Sequence, residues 1–171
     1  MRSLGAVLIV IVLAASLAAC GSNGASSSSA PGAAAATTST THLAKTKFVL
    51  HAGLAFGAFH RYIYKPLKQG KFSGGLLHHK IATIKAALAA AFAYHEVKLA
   101  LQDARSSKIL SKALSPLLAL QTKLAALGDG LKHGNVDASA ITSANSDAGQ
   151  ASQAGATAGQ PIPDQATPQL G

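Results

Sequence analysis

The chain has 171 residues, of which 49% are hydrophobic and only 5% aromatic, and its formal net charge is +9. A single cysteine excludes a disulfide within the chain. A single glutamate excludes a di-iron carboxylate bundle, which needs several. We find no paired carboxylates for acid–base chemistry and no serine or cysteine nucleophile with a recognisable base, so the sequence predicts a protein that is not an enzyme.

The first twenty residues have the layout of a secretory leader. Arg2 is their only charge, and residues 5–19 are apolar or small. A positive start, a short hydrophobic run and small residues before the cleavage site are typical of a signal peptide. The run is too short to span a bilayer, since a membrane helix needs about 20 apolar residues. We therefore predict a signal peptide over residues 1–19.

The leader ends in Leu17-Ala18-Ala19-Cys20, which resembles the lipobox of bacterial lipoproteins. The resemblance implies that a diacylglyceryl group is attached to the Cys20 thiol, that the leader is cut just before it, and that the new amine is often acylated as well. Two or more acyl chains would hold the protein stably at the extracytoplasmic face of the cell membrane. The resemblance stops at residue 21, and an ordinary secreted protein or an uncleaved anchor helix stay open as alternatives.

Composition divides the remaining chain into three parts. Residues 20–41 are rich in Ser, Ala, Gly and Thr and predict a flexible tether. Residues 42–133 contain helix formers and hold fourteen lysines and arginines against three acidic residues. Residues 134–171 have three aspartates, no basic residue and few large apolar residues, so we predict a disordered tail.

The first predicted helix runs from Leu43 to Tyr64. One side of it carries apolar residues at a 4-3-4-3 spacing, namely Phe48, Ala52, Ala55, Phe59 and Tyr62. Pro66 is expected to stop this helix, because proline disfavours helical geometry in the residue before it. Gly53 and Gly57 form a Gly-x-x-x-Gly motif, which lets two helices approach closely. The apolar segment around it is too short and too polar to span a membrane, so we predict tight packing of soluble helices, with a position in the membrane interface as the alternative.

The second predicted helix has Ser73 as N-cap and runs to Arg105. It has two apolar faces, a bulky one and a small one, so we predict that it is the central helix and is covered on both sides. The bulky face is formed by Leu77, Ile81, Ile84, Leu88, Ala91, His95 and Leu99, and the small face by Ala82, Ala86, Ala90, Ala93, Val97, Ala100 and Ala104. Lys80, Lys98 and Arg105 form one polar border of this helix and are our candidate contacts to an anionic surface.

The third predicted helix follows Ser106-Ser107 and ends near Gly128 or Gly130. One face is leucine-rich, formed by Leu110, Leu114, Leu117, Leu124 and Leu131, with Leu120 and Leu127 beside it. Pro116 either kinks this helix or lies in the first turn of a new one. The sequence thus predicts an all-α fold, a small antiparallel three-helix bundle or folded helical hairpin between a tether and a disordered tail.

The histidines are the only candidates for metal or haem chemistry. Counting outward from a loop near Gly70 places His60 close to His78 or His79, so these three are the metal-site candidates, although no carboxylate or cysteine joins them. His51 and His95 on facing helices are the candidates for haem ligation. The same counting places Glu96 near Lys45, which predicts an ion pair between them.

These observations favour a non-catalytic interaction or structural module in the cell envelope. Its expected partners are the membrane, anionic lipid headgroups or wall polymers, or another envelope protein, and no cofactor is expected. Alternatively, the lysines serve only to keep an alanine-rich surface soluble. Nucleic acid is not expected as a partner, because the leader predicts export. The rival function is a metal or haem carrier built on the histidines, and an enzyme has no positive support.

Overall fold

Alanine and leucine, both strong helix formers, dominate the part of the chain that folds. The computed structural model describes residues 32–73 and 76–170, and in these ranges regular structure is entirely helical, which confirms the all-α prediction. The helices are α1 (Gly32–Phe59), α2 (Lys65–Lys68), α3 (Leu76–Arg105), α4 (Ser111–Lys132) and α5 (Ala138–Thr157). A π-helical turn (His60–Tyr64) joins α1 to α2, and a 3-10 turn (Lys108–Leu110) precedes α4.

The long helices pack in chain order, α1 on α3, α3 on α4 and α4 on α5. Short connections at residues 69–75, 106–110 and 133–137 reverse the chain each time, so consecutive helices are antiparallel. Helix α3 therefore lies between α1 and α4, and its predicted central position is confirmed. The bundle contains α5 as a fourth long helix, so the prediction of three helices was one short.

The core is formed by large side chains of α1 and α4 packed against the small face of α3. Phe48 and Phe59 from α1, and Leu117 and Leu124 from α4, are buried, as the predicted faces of both helices require. The small face of α3 is buried with them, through Ala86, Ala90, Ala93, Val97, Ala100 and Ala104. Because alanine lets helix axes approach closely, both neighbours pack on this face, and the expectation that the bulky face is also covered is wrong.

Both ends of the first predicted helix differ from the prediction. Helix α1 begins at Gly32, so residues 32–41, predicted as part of the flexible tether, are helical; four of the first five are alanines of high helix propensity. Pro66 does not stop the helix, which widens into the π turn at His60–Tyr64 and continues to Lys68. Proline lacks an N–H, and a wider turn accommodates this loss. The chain then turns at Gly70, whose φ of 65° favours glycine.

Helix α4 settles the alternatives for Pro116. The proline lies inside a single helix that runs from Ser111 to Lys132. The predicted leucine-rich face of this helix is confirmed, because Leu117, Leu120 and Leu124 are buried and Leu114 is partly buried.

The C-terminal region is not disordered, which corrects the prediction for residues 134–171. Asp137 caps α5 by accepting a hydrogen bond from the Ala140 N–H at 2.9 Å. The buried side of α5 is formed by one isoleucine followed by small residues at a 3-4-3-4 spacing, namely Ile141, Ala144, Ala148, Ala151 and Gly155. Helix α5 packs on α4 through this side, so a face of alanines buries enough surface here to order the chain.

After α5, an extended segment at residues 160–170, which we call the C-terminal strap, crosses α1. The Gln165 N–H donates a hydrogen bond to the Gly53 carbonyl at 3.0 Å. The Tyr62 hydroxyl donates to the Pro168 carbonyl at 3.1 Å and accepts from the Leu170 N–H at 3.2 Å. The C-terminal strap thus packs directly on the two glycines of the Gly-x-x-x-Gly motif. The expectation that this motif mediates helix–helix packing is wrong.

The signal peptide, the lipobox with Cys20 and the tether up to residue 31 lie outside the described residues. Among the helices of the described ranges, none combines the length and the hydropathy needed to cross a bilayer.

Candidate functional site on helix α3

The outward side of α3 carries three large aliphatic residues in contact with solvent. Ile81, Ile84 and Leu88 are 70%, 58% and 54% exposed. Their spacing of three and four residues places them on one side of the helix, over about 10 Å of its axis. We call these three residues the α3 stripe. Folded chains usually bury such side chains, so a contiguous exposed set indicates a contact surface.

A line of basic residues runs beside the α3 stripe. Lys80, Lys98 and Arg105, the predicted anionic-surface contacts, are all on α3 and all exposed. They are 18 and 7 residues apart, close to whole numbers of helical turns, so they form one line about 37 Å long. We call this line the basic row. The structure therefore brings the predicted residues together on one side of one helix.

The two acidic residues of α3 point away from this surface, toward α1. His51 Nδ1 lies 2.7 Å from Glu96 Oε2, and His51 Nε2 lies 4.0 Å from Asp103 Oδ2. Glu96 is buried and pairs with His51. The predicted ion pair between Glu96 and Lys45 is therefore wrong. Counting residues outward from Gly70 predicts the wrong pairing, because α2 and the following loop lengthen the connection between α1 and α3 and shift the register of the two helices.

Asp103 is held in a poorly solvated position. Burial raises the pKa of its carboxyl above the ordinary value, and the nearby positive charges of His51 and Lys47 oppose this shift only in part. Its Oδ2 atom is buried and has no hydrogen-bond partner among the described residues. The negative charge of α3 is thus confined to the α1 side, and the opposite side presents only basic charge.

The remaining acidic residues are also engaged elsewhere. Asp147 pairs with Lys123, Asp129 lies 3.1 Å from the Lys132 ammonium, and Asp164 lies 2.6 Å from His60 Nδ1. Asp137 caps α5. All six acidic residues of the chain therefore contact a basic side chain or a helix N-terminus. Asp129 lines a concavity with Ala91 and Tyr94 of α3, so one carboxylate lies near the basic row, and it is paired there with Lys132.

Two concavities lie on either side of Ile84. One, of about 640 Å³, has apolar walls that include Phe72, Leu131 and Val136, and basic groups from Lys80 and Lys132 at its edge. The other, of about 450 Å³, is lined by the α3 stripe together with Lys85, Gln169 and Leu170. Among the described residues, no carboxylate lines either of them. Apolar walls with a basic edge suit an anionic amphiphile.

The histidines do not form the predicted clusters. His60 lies 2.6 Å from Asp164 and 3.1 Å from the Asn145 Oδ1 atom, so it joins the C-terminal strap to α5. His79 Nδ1 donates to the Lys71 carbonyl, and His95 is exposed while His51 pairs with Glu96. The side chain of His78 lies outside the described residues. In the described ranges, no group of three or more His, Cys, Asp or Glu residues is arranged to hold a metal ion.

Sequence reasoning identified the residues of the α3 stripe but assigned them to a buried face. The signal that separates the two faces of α3 is side-chain size. Two neighbouring helices pack more closely on alanines than on Ile and Leu, so the small face takes both contacts and leaves the bulky face outside. No protein-family model, curated protein or solved structure matches this chain.

Proposed function

We propose that the protein is an extracytoplasmic lipoprotein, anchored through Cys20, whose helical domain is a non-catalytic module that binds anionic surfaces of the cell envelope. The lipid anchor is supported by Leu17-Ala18-Ala19-Cys20 at the end of the apolar leader. The anionic partner is supported by the charge distribution of the folded domain. Anionic lipid headgroups and wall polymers share the chemistry that this distribution recognises.

The observation that carries this proposal is the separation of charge around α3. Glu96 and Asp103 are turned toward His51, whereas Lys80, Lys98 and Arg105 are exposed on a different side. Cations aligned on one side of α3, with the carboxylates of this helix turned to another side, give that side a positive potential that attracts a polyanionic surface. The geometry gives the carrier alternative less support, because His51 and His60 are already paired with carboxylates.

The lipid anchor predicts the chemical state of the native N-terminus. Intact-mass and peptide mass spectrometry of the protein from its own membrane should find a chain that starts at Cys20 with a diacylglyceryl thioether. Cys20→Ala should abolish the modification and release the protein from the membrane fraction at high salt, where electrostatic contacts are screened. A native product with an intact Met1 or an unmodified Cys20 thiol would contradict the anchor.

The basic row predicts electrostatic binding that does not require the anchor. Residues 21–171 hold the complete described core, between Phe48 and Ile162, and can be tested without leader or lipid. They should bind phosphatidylcholine vesicles that contain phosphatidylglycerol, and the triple variant Lys80→Gln, Lys98→Gln, Arg105→Gln should bind about a hundredfold more weakly at low salt. Co-sedimentation over a range of salt concentrations measures both the affinity and its expected fall with ionic strength.

A matched control separates the basic row from net charge. Lys68→Gln, Lys108→Gln, Lys112→Gln removes the same number of charges from exposed positions on other elements. This variant should keep most of the affinity. An equal loss in both triple variants would show that binding follows net charge alone, and equal salt-insensitive binding to neutral and anionic vesicles would contradict anionic recognition altogether.

A further inference from the structure

We propose that the α3 stripe inserts into the interface of an anionic lipid bilayer, with the basic row lying along the headgroups. This inference rests on the proposed function and names its partner as the lipid bilayer. It assigns the apolar part of the contact to Ile81, Ile84 and Leu88, and it places α3 parallel to the membrane plane.

The apolar side chains favour a bilayer over a wall polymer. A polyanionic polymer would satisfy Lys80, Lys98 and Arg105 but offers no apolar phase for Ile81, Ile84 and Leu88, which are more than half exposed. An amphipathic surface with aliphatic residues on one strip and lysines along its border matches the arrangement with which helices lie in the membrane interface. The apolar groups then enter the acyl boundary while the lysine ammonium groups stay at the headgroups.

The charged residues beside the α3 stripe favour an anionic membrane over a neutral one. Lys80 follows the stripe on one side, and Lys85 lines the groove beside Ile81 and Leu88 on the other. In the part of the chain that the structure describes, no carboxylate lines the two concavities next to Ile84. The charged side chains of the described residues that line these two concavities are therefore basic, which complements the headgroups of an anionic leaflet.

The same border argues against a second copy of this chain as the occupant. Pairing two stripes would bring two basic rows of Lys80, Lys98 and Arg105 together, on a protein of net charge +9. Like charges across an interface oppose association unless acidic groups lie between them. The acidic residues of α3 lie on the α1 side of the helix and cannot supply this compensation.

A tryptophan reporter tests the insertion directly, because the chain has no native tryptophan. In residues 21–171, Leu88→Trp should show a blue-shifted emission on vesicles that contain phosphatidylglycerol, and brominated acyl chains should quench it. Ile109 is 47% exposed in the turn before α4, far along the bundle from the stripe, so Ile109→Trp serves as the matched control. It should keep the emission of a solvent-exposed tryptophan when the protein is bound.

A binding comparison gives a second readout. The variant Ile81→Gln, Ile84→Gln, Leu88→Gln keeps the charge and the helix propensity of α3, and its affinity for the same vesicles should fall at least about tenfold. Ile109→Gln should bind like the wild type. Helical circular dichroism and the melting temperature should match in all three, because the substituted side chains are exposed.

The outcomes separate this inference from the proposed function. If the wild type binds anionic vesicles and the stripe variant binds equally well, the inserted surface is wrong while anionic recognition stands. If the wild type does not bind these vesicles at all, both the insertion of the α3 stripe and the recognition of anionic lipids are wrong. A dimer in analytical ultracentrifugation that the stripe variant abolishes would overturn membrane insertion in favour of a second copy.

Discussion

His51→Ala is expected to lower the free energy of unfolding by about 2 kcal/mol at neutral pH. The substitution removes the partner of Glu96, whose side chain is only 10% exposed, and removes the imidazole whose Nε2 atom lies 4.0 Å from Asp103 Oδ2. Neither carboxylate has another basic group within ion-pair distance in the described structure. Breaking a fully buried pair costs more than this, but His51 is 22% exposed and water recovers part of the loss. Urea denaturation followed by circular dichroism measures the change.

Two variants show whether the cost comes from the unpaired carboxylates. His95→Ala removes an exposed histidine of the neighbouring helix and should change stability by less than about 0.5 kcal/mol. In a Glu96→Gln background, His51→Ala should cost clearly less, because no buried charge is left alone. An unchanged cost in that background would mean that His51 stabilises α1 by packing and not through its ion pair.

Gly57→Ala is expected to destabilise the protein by about 2 kcal/mol and to detach the C-terminal strap from α1. A Cβ at this position would overlap the Gln165 carbonyl oxygen, which is backbone and cannot rotate away. At the neighbouring Gly53, a Cβ would lie 2.6 Å from the Pro163 carbonyl oxygen. The overlap outweighs the gain of about 1 kcal/mol that alanine brings to a helix interior. Limited proteolysis should cut the strap while α1 to α5 stay protected.

Gly149→Ala is the matched control for this prediction. Gly149 is also inside a helix, but a Cβ there meets nothing within 4 Å. The helix propensity of alanine should therefore stabilise the protein by about 0.5 to 1 kcal/mol. If both substitutions stabilised the protein to the same extent, the strap would not be packed on Gly57 in solution.

The helices that the sequence predicts best are those whose packing is local and periodic. The 4-3-4-3 spacing from Phe48 to Tyr62 and the leucines of α4 each define a face without reference to the rest of the chain. Both faces are buried as predicted. The end of α1 was less predictable, because the π turn before Pro66 depends on how the helix accommodates a missing N–H.

Helix α5 lies in a segment with few large apolar residues, and such a composition predicts disorder. Its buried side contains one isoleucine, Ile141, one aspartate, Asp147, and otherwise only alanine and glycine. Two signals could have found it, namely Asp137 as an N-cap and the 3-4-3-4 spacing from Ile141 to Gly155. The strap carries no comparable pattern, because its order depends on backbone contacts with Gly53 and Gly57 that are distant in sequence.

In the candidate site, too, features within one helix are predictable from the sequence and contacts between elements are not. Lys80, Lys98 and Arg105 were predictable as one row, since helical geometry alone aligns them. The contacts of His51 and His60 were not, because each partner comes from another element whose register depends on loop lengths. The exposure of Ile81, Ile84 and Leu88 was predictable only from side-chain size, because periodicity alone does not say that both neighbours of α3 pack on its small face.

The course of the C-terminal strap has a practical consequence for labelling the protein in cells. Gln169 and Leu170 line the groove that contains Ile81, Ile84 and Leu88, so the last described residues end beside the proposed contact surface. A fluorescent protein or affinity tag fused after Gly171 would sit over that surface and compete with its partner.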